Sequence, residues 1–139
     1  MTTGLDTNVL ARYYVEDRSD APAEQQRNAA RALIEGGQPL AVAKTVLLEL
    51  EWVLRGYYAL PPGDVVRVLR HLLGLAHVRI EDRSAVETAV ALAERGLDFA
   101  DALHHASYRD CDAMASFDDK RFARRATKLG LAPRVVIPT

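Results

Sequence analysis

Short apolar runs bounded by glycine, proline and polar residues alternate with helix-period segments along the whole chain, and no other feature constrains the fold as tightly. Thr3-Gly4-Leu5, Leu40-Ala41-Val42, Val78-Arg79-Ile80, Ala113-Met114-Ala115-Ser116 and Val135-Val136-Ile137 read as strands. Helical spacing runs from Val9 through Tyr14, from Ala21 to Ile34, from Thr45 through Tyr57, from Val65 to Leu75, from Ser84 to Glu94, from Asp98 to Tyr108 and from Lys120 to Leu129. The punctuation agrees: Pro22 suits a first turn, Gly36-Gly37, Gly96 and Gly130 stop helices, and Pro61-Pro62-Gly63-Asp64 breaks one. Such alternation predicts a three-layer α/β arrangement, a mostly parallel sheet covered by helices on both faces, with right-handed crossovers. At 139 residues the chain has the size of one domain, residues 1–139, able to bury a core without disulfides or structural metal.

Eighteen Lys and Arg face nineteen Asp and Glu, a net charge of −1, so there is no global pull toward nucleic acid and any such contact must be local. The single cysteine, Cys111, excludes an intramolecular disulfide; it sits in an apolar helical stretch and is expected to be a buried small side chain in a reducing compartment. The first residues contain no basic region followed by an apolar core, and no stretch approaches the ~18 to 20 apolar residues of a membrane span. A soluble, cytoplasmic protein without membrane contact is the expectation.

Chemistry concentrates on acids placed where this topology gathers strand ends and helix starts, the usual location of ligand crevices in open parallel sheets. Asp6 ends the first strand and precedes a helix, so it can cap that helix and also point into the crevice, the first strand of such sheets being commonly central. Asp98 and Asp101 stand at the spacing of an N-cap and its third helical residue; Asp98 reads as the cap, while the helix N-terminus should lower the pKa of Asp101 and keep it ionised. Asp118 follows a short strand and shares a face with Ser116, whereas Asp119 can cap the helix at Lys120; which of the two faces the site stays open.

Glu49 lies on the flank of the stripe Val46, Leu50, Val53, Leu54 and Tyr57, where an unpaired carboxylate is costly to bury. A cation facing it offsets that cost better than a private ion pair with Lys44 or Arg55. Glu51, about 200° further around the helix, reads as a solvated face. Hard carboxylate ligands without a Cys/His set point to Mg²⁺ or Mn²⁺, and hence to metal-assisted hydrolysis of a phosphodiester.

Leu5-Asp6-Thr7-Asn8-Val9-Leu10, Leu48-Glu49-Leu50 ahead of Trp52-Val53-Leu54, Asp98-Phe99-Ala100-Asp101-Ala102-Leu103 and Ser116-Phe117-Asp118-Asp119-Lys120-Arg121-Phe122 together resemble a PIN domain, specifically the VapC toxins of bacterial type II toxin–antitoxin systems. The resemblance implies a ribonuclease fold, a PIN-like three-layer α/β/α sandwich with a central, mostly parallel five-stranded sheet, with one or two Mg²⁺ or Mn²⁺ ions and single-stranded or structured RNA as substrate. It also implies Asp6, Glu49, Asp101 and Asp118 as the catalytic and metal-site acids, with Asp119 as substitute for Asp118, and Thr7, Asn8 and Ser116 as the residues that orient them. A cognate VapB-type antitoxin, a homodimer, and a heterotetramer or larger assembly with antitoxin are implied as well. Ser116 stands where the family commonly has Thr, which keeps the hydroxyl, and the pair Asp118-Asp119 stands where one acid is common.

In the mechanism so implied, an ion held by Asp6 and Asp101 activates water for in-line attack on phosphorus, and Glu49 and Asp118 help hold a second ion with the substrate phosphate. Crowded carboxylates should leave at least one pKa raised when no metal is bound. Candidate phosphate contacts are Arg12, near Asp6 in sequence, and Lys120, Arg121, Arg124 and Arg125 on the last helix. His104 and His105 follow Asp101 by three and four residues, and an ordinary partly buried histidine is the better reading. Trp52, Tyr57 and Tyr58 offer faces for base stacking, but their place on an aliphatic stripe favours core or dimer interface. Two other readings remain. One is a PIN-fold RNA-binding or protein-interaction module with little cleavage; the other is a phosphatase-like enzyme, poorly served because no second Asp follows Asp6 two residues on.

Overall fold

The computed structural model describes residues 1–17 and 21–139. They form two compact units, Met1–Arg83 and Ser84–Thr139. The first contains β1 (Thr3–Gly4), α1 (Thr7–Tyr14), α2 (Ala21–Glu35), β2 (Leu40–Val42), α3 (Lys44–Trp52) with a wider π-type turn over Val53–Tyr57, α4 (Pro62–Leu73) and β3 (Val78–Ile80). The second contains α5, which spans Arg83–Glu94 and so starts at the boundary, then α6 (Phe99–Ser107), β4 (Ala113–Ala115), a π-type turn over Asp119–Ala123, α7 (Arg124–Lys128) and β5 (Arg134–Val136).

In the first unit β1, β2 and β3 pair in parallel in that order, Thr3 opposite Leu40 and Leu40 opposite Val78. The inward positions Leu40, Val42, Val78 and Ile80 are buried. Helices cover them through stripes at helical spacing: Leu10 and Ala11 in α1, Ala30 and Ile34 in α2, Leu47, Leu50 and Leu54 along α3 and its extension, and Val65, Leu69 and Leu72 in α4. The Pro-Pro-Gly-Asp segment read as a breaker is the start of α4: Pro62 occupies the first turn, where its missing N–H costs nothing. Thr45 does not cap α3. Ala43 precedes the helix without a side-chain bond, and Glu81 instead accepts from the Lys44 N–H at 2.8 Å.

In the second unit β4 and β5 pair in parallel, Ala113 opposite Arg134. Val86, Ala89, Val90, Phe99, Ala102, Leu103, Phe122 and Ala126 are buried. His105 is buried with them, its Nε2 2.6 Å from the Pro133 carbonyl and its ring edge-on to Phe122.

The expected α/β architecture is present: all five expected strands exist among the described residues and all their pairings are parallel, three strands in one ladder and two in another. Strands of two or three residues supply only a few ladder positions each, and the pairing closes within each unit. In the three-stranded ladder β2 lies between β1 and β3. Cys111 is also corrected: α6 stops at Ser107, so the cysteine lies beyond the helix and is exposed. No helix among the described residues is long and apolar enough to cross a membrane.

Candidate active site

The first unit builds its acidic cleft from the strand-to-helix turn after β1. Asp6 has extended backbone, caps α1 and accepts a hydrogen bond from the Thr7 N–H at 2.7 Å. The next side chain, Thr7, is buried, and its hydroxyl donates to Glu49 Oε1. One residue therefore ties the start of α1 to the middle of α3. The result is a cleft of about 580 Å³ onto which Asp6, Thr7, Asn8 and Glu49 all face.

The two glutamates of α3 exchange the environments expected of them. Glu49 is exposed at the cleft, whereas Glu51 is buried at 7% exposure and ion-paired with Arg55, Nε to Oε1 2.9 Å. The buried stripe runs through Leu47, Leu50 and Leu54, so Glu51 sits beside it, and Val46 and Val53 are only half-buried. Lys44, the other partner considered for Glu49, pairs with Asp82 at 3.1 Å.

Arg12 lines the same cleft, its guanidinium held by Asp17 at 3.1 Å and Gln26 at 2.9 Å. Asp17 carried no sequence signal, because its place in the cleft depends on how the chain leaves α1. Trp52 and Tyr57 are not core residues: both line the cleft, 60% and 73% exposed, with Tyr58 half-buried beside them. Burial pushes the Tyr58 hydroxyl pKa up, and a hydrogen bond to Asp17 adds to the rise while the charge of Arg12 opposes it.

The second unit carries the remaining acids. Asp98 caps α6 by accepting from the Asp101 N–H at 3.0 Å, as its spacing implied. Asp101 is half-buried, and its pKa is raised: desolvation is the main cause, the negative charges of Asp98 and Asp118 add to it, and His104 opposes. The lowering expected from the helix N-terminus does not prevail over burial. Asp118 caps the last helical segment, accepting from the Arg121 N–H at 3.0 Å, the role expected of Asp119. Asp119 instead pairs with Arg124 at 2.9 Å. The Ser116 hydroxyl accepts from the Asp118 N–H at 3.1 Å, fixing the backbone that carries the acid. Of the two adjacent aspartates, Asp118 is the one whose charge reaches Asp101.

The basic face is shared out unevenly. Arg124 is engaged by Asp119, and Arg125 donates to the Gly96 carbonyl at 2.8 Å. Lys120 and Arg121 are exposed. His104 is exposed near Asp101, and His105 is the buried histidine described above.

The donors suit a hard cation. Carboxylate, hydroxyl and amide oxygens line the cleft, and no histidine or cysteine does so among the described residues. A cation near Asp101 would offset the burial that mainly raises its pKa and the charges of Asp98 and Asp118 that add to the rise. Among the described residues, no three His, Cys, Asp or Glu side chains are gathered as a ready-made ion-binding group.

The PIN domain family pattern matches residues 5–128 of this chain, which takes in Asp6, Glu49, Asp101 and Asp118. No curated protein matches it closely enough to be a relative.

Proposed function

The chain belongs to the PIN domain family, and from that membership we propose that it is a Mg²⁺- or Mn²⁺-dependent endoribonuclease of the VapC type, the toxin of a type II toxin–antitoxin pair. PIN domains are generally nucleases. The observation that carries the reading is the Thr7–Glu49 hydrogen bond, which holds two acids distant in sequence, Asp6 and Glu49, on one oxygen-lined cleft. The acids proposed as metal ligands are Asp6, Glu49, Asp101 and Asp118, with Asp118 favoured over Asp119 because the latter is bound to Arg124. When bound, the ion supplies Lewis acidity that activates water and stabilises charge on a phosphodiester.

The protein's own residues do the rest. Thr7 fixes one Glu49 oxygen and so orients the carboxylate; Ser116 holds the backbone of Asp118; Asn8 adds an amide at the cleft. Lys120 and Arg121, exposed at the start of the last helical segment, would attract RNA phosphates, with Arg12, Arg124 and Arg125 as contacts that must first exchange their present partners. A VapB-type antitoxin and assembly of the toxin as a homodimer, joined into a heterotetramer or larger complex with antitoxin, complete the proposal.

The test is incubation of the purified, antitoxin-free chain with total cellular RNA and Mg²⁺ or Mn²⁺, with EDTA and Asp6→Asn controls and sequencing of new ends. Discrete cuts absent from both controls are expected. Equal cutting by Asp6→Asn would defeat the site assignment, and no cutting by a folded, metal-supplied chain would favour an RNA-binding or interaction module.

A further inference from the structure

The first unit has a second recess, of about 360 Å³, where the end of α1 meets α2 and α4; it shares no lining residue with the acidic cleft. Its wall is aromatic. Tyr13 and Tyr14 meet edge-to-face at 4.9 Å, and the His71 ring lies stacked toward Tyr13 at 6.5 Å and edge-on to Tyr14 at 5.5 Å.

Two hydrogen bonds decide which protons this wall offers. The Tyr13 hydroxyl donates to Glu35 Oε2 at 2.9 Å, and the Tyr14 hydroxyl lies 2.8 Å from His71 Nδ1. Burial pushes the Tyr14 pKa up, so the phenol keeps its proton and is the donor. A neutral imidazole that accepts at Nδ1 carries its own proton at Nε2. Among the described residues nothing accepts that Nε2–H, and the His71 side chain is exposed.

The Tyr13 bond also leaves a guanidinium unspent. Arg31 stands one turn before Glu35 on α2, the spacing of an i,i+4 ion pair in its weaker order, base before acid. Glu35 accepts from Tyr13 instead, and Arg31 has no ion pair among the described residues, although its charge reaches the Tyr13 hydroxyl. Arg67 stands one turn before His71 on α4; its partner is Asp64 at 3.6 Å, and with the Arg67 side chain 85% exposed that pairing holds it weakly. Two guanidiniums and one imidazole N–H therefore line a single recess with donors to spare.

Three separate donor groups suit the three terminal oxygens of a phosphate monoester better than the two oxygens of a carboxylate, and the guanidinium fork matches phosphate geometry. We infer that this recess binds a phosphate monoester through Arg31, Arg67 and His71, with the esterified group lying against the half-buried Tyr13 ring. A free mononucleotide and the terminal phosphate of an RNA strand share this chemistry. The inference uses none of the cleft acids and stands whether or not the chain is a nuclease.

The test is calorimetric titration of the chain in EDTA, which keeps divalent ions from bridging phosphate to the acidic cleft. The probes are inorganic phosphate, uridine 5′-monophosphate, acetate, and a short oligouridylate with and without a 5′-phosphate. Saturable binding of phosphate and the mononucleotide, and none of acetate, is expected. Arg31→Gln and Arg67→Gln, their folds checked by circular dichroism, should each weaken that binding about tenfold, the equivalent of one charge-assisted hydrogen bond. In the unmutated chain the His71 ring-proton resonances, identified by comparison with His71→Gln, should move along the same saturation curve. Tighter binding of the phosphorylated strand than of the free nucleotide assigns the site to RNA ends; equal or weaker binding assigns it to mononucleotides. Absence of saturable binding, unchanged affinity in the Arg31→Gln, Arg67→Gln double variant, or stationary His71 resonances during saturation overturns the inference. An equal response to acetate also overturns it and leaves a solvated pair of helix faces.

Discussion

Thr7 and Asp101 show how single side chains set the chemistry of each unit. Thr7 is buried, and its hydroxyl is placed to orient Glu49 and not to react. Thr7→Val keeps the shape and removes that bond, so metal-dependent cleavage should fall about tenfold, the equivalent of one hydrogen bond to a charged group, while circular dichroism stays unchanged. Asp101 has its pKa raised, first by burial and then by Asp98 and Asp118, from an ordinary value of 3.8. A carboxyl with a raised folded-state pKa favours the fold below its unfolded pKa, and that contribution is lost as pH rises through the folded value. Asp101→Asn should therefore melt at a higher temperature than the unmutated chain in EDTA at neutral pH, with the difference vanishing toward acid pH, while its cleavage is abolished. A lower melting temperature at neutral pH would show that the carboxylate is stabilised in the folded protein. Glu49 and Glu51 show the limit of reading one helix face from apolar residues alone. Val46 and Val53 suggested one stripe, but the buried line runs through Leu47, Leu50 and Leu54, which turns Glu51 inward to Arg55 and leaves Glu49 at the cleft.

At the scale of elements, helix ends are where structural and functional demands meet. Asp118 caps the final helical segment through the Arg121 N–H, so replacing it mixes two effects. Asn caps as well as Asp but carries no charge. Asp118→Asn should lose cleavage at unchanged denaturation midpoint, whereas Asp118→Ala should also lose about 1 kcal/mol of stability in a urea titration. Equal midpoints for the two variants would remove the cap from the account. The widened turn after Trp52 ends near Gly56, whose backbone is helical and where a methyl meets only the indole at ordinary contact distance. Gly56→Ala should stabilise the chain by roughly 0.5–1 kcal/mol, measured by the same titration, because glycine's unfolded-state freedom is the main loss there. The helix caps at Asp6 and Asp98 were legible from sequence because a cap is local chemistry over three or four residues. The start of α4 was not, because the same Pro-Pro-Gly-Asp string that ends one helix also satisfies the first turn of the next.

At the scale of the whole molecule, a net charge of −1 means that RNA binding depends on where the cations stand and which are already engaged. Lys120 and Arg121 are exposed, while Arg124 and Arg125 have protein partners. Replacing Lys120 and Arg121 together with Ala should lower the slope of log affinity against log salt by about 1.4, the value for two phosphate contacts on a single strand. Replacing Arg124 and Arg125 should change it less; the opposite ranking in a filter-binding salt series would move the phosphate path. By itself the amino-acid order determined the strand and helix succession, the parallel pairing, the caps at Asp6 and Asp98 and the family pattern over residues 5–128, because periodicity, turn chemistry and short motifs act over a few residues. Only the tertiary structure decided that the strands close as ladders of three and two, that Glu51 and not Glu49 is buried, that Asp118 and not Asp119 carries the cap, and that Trp52 faces a cleft. Each of these depends on which remote side chain fills the adjoining space, and no local spacing encodes that.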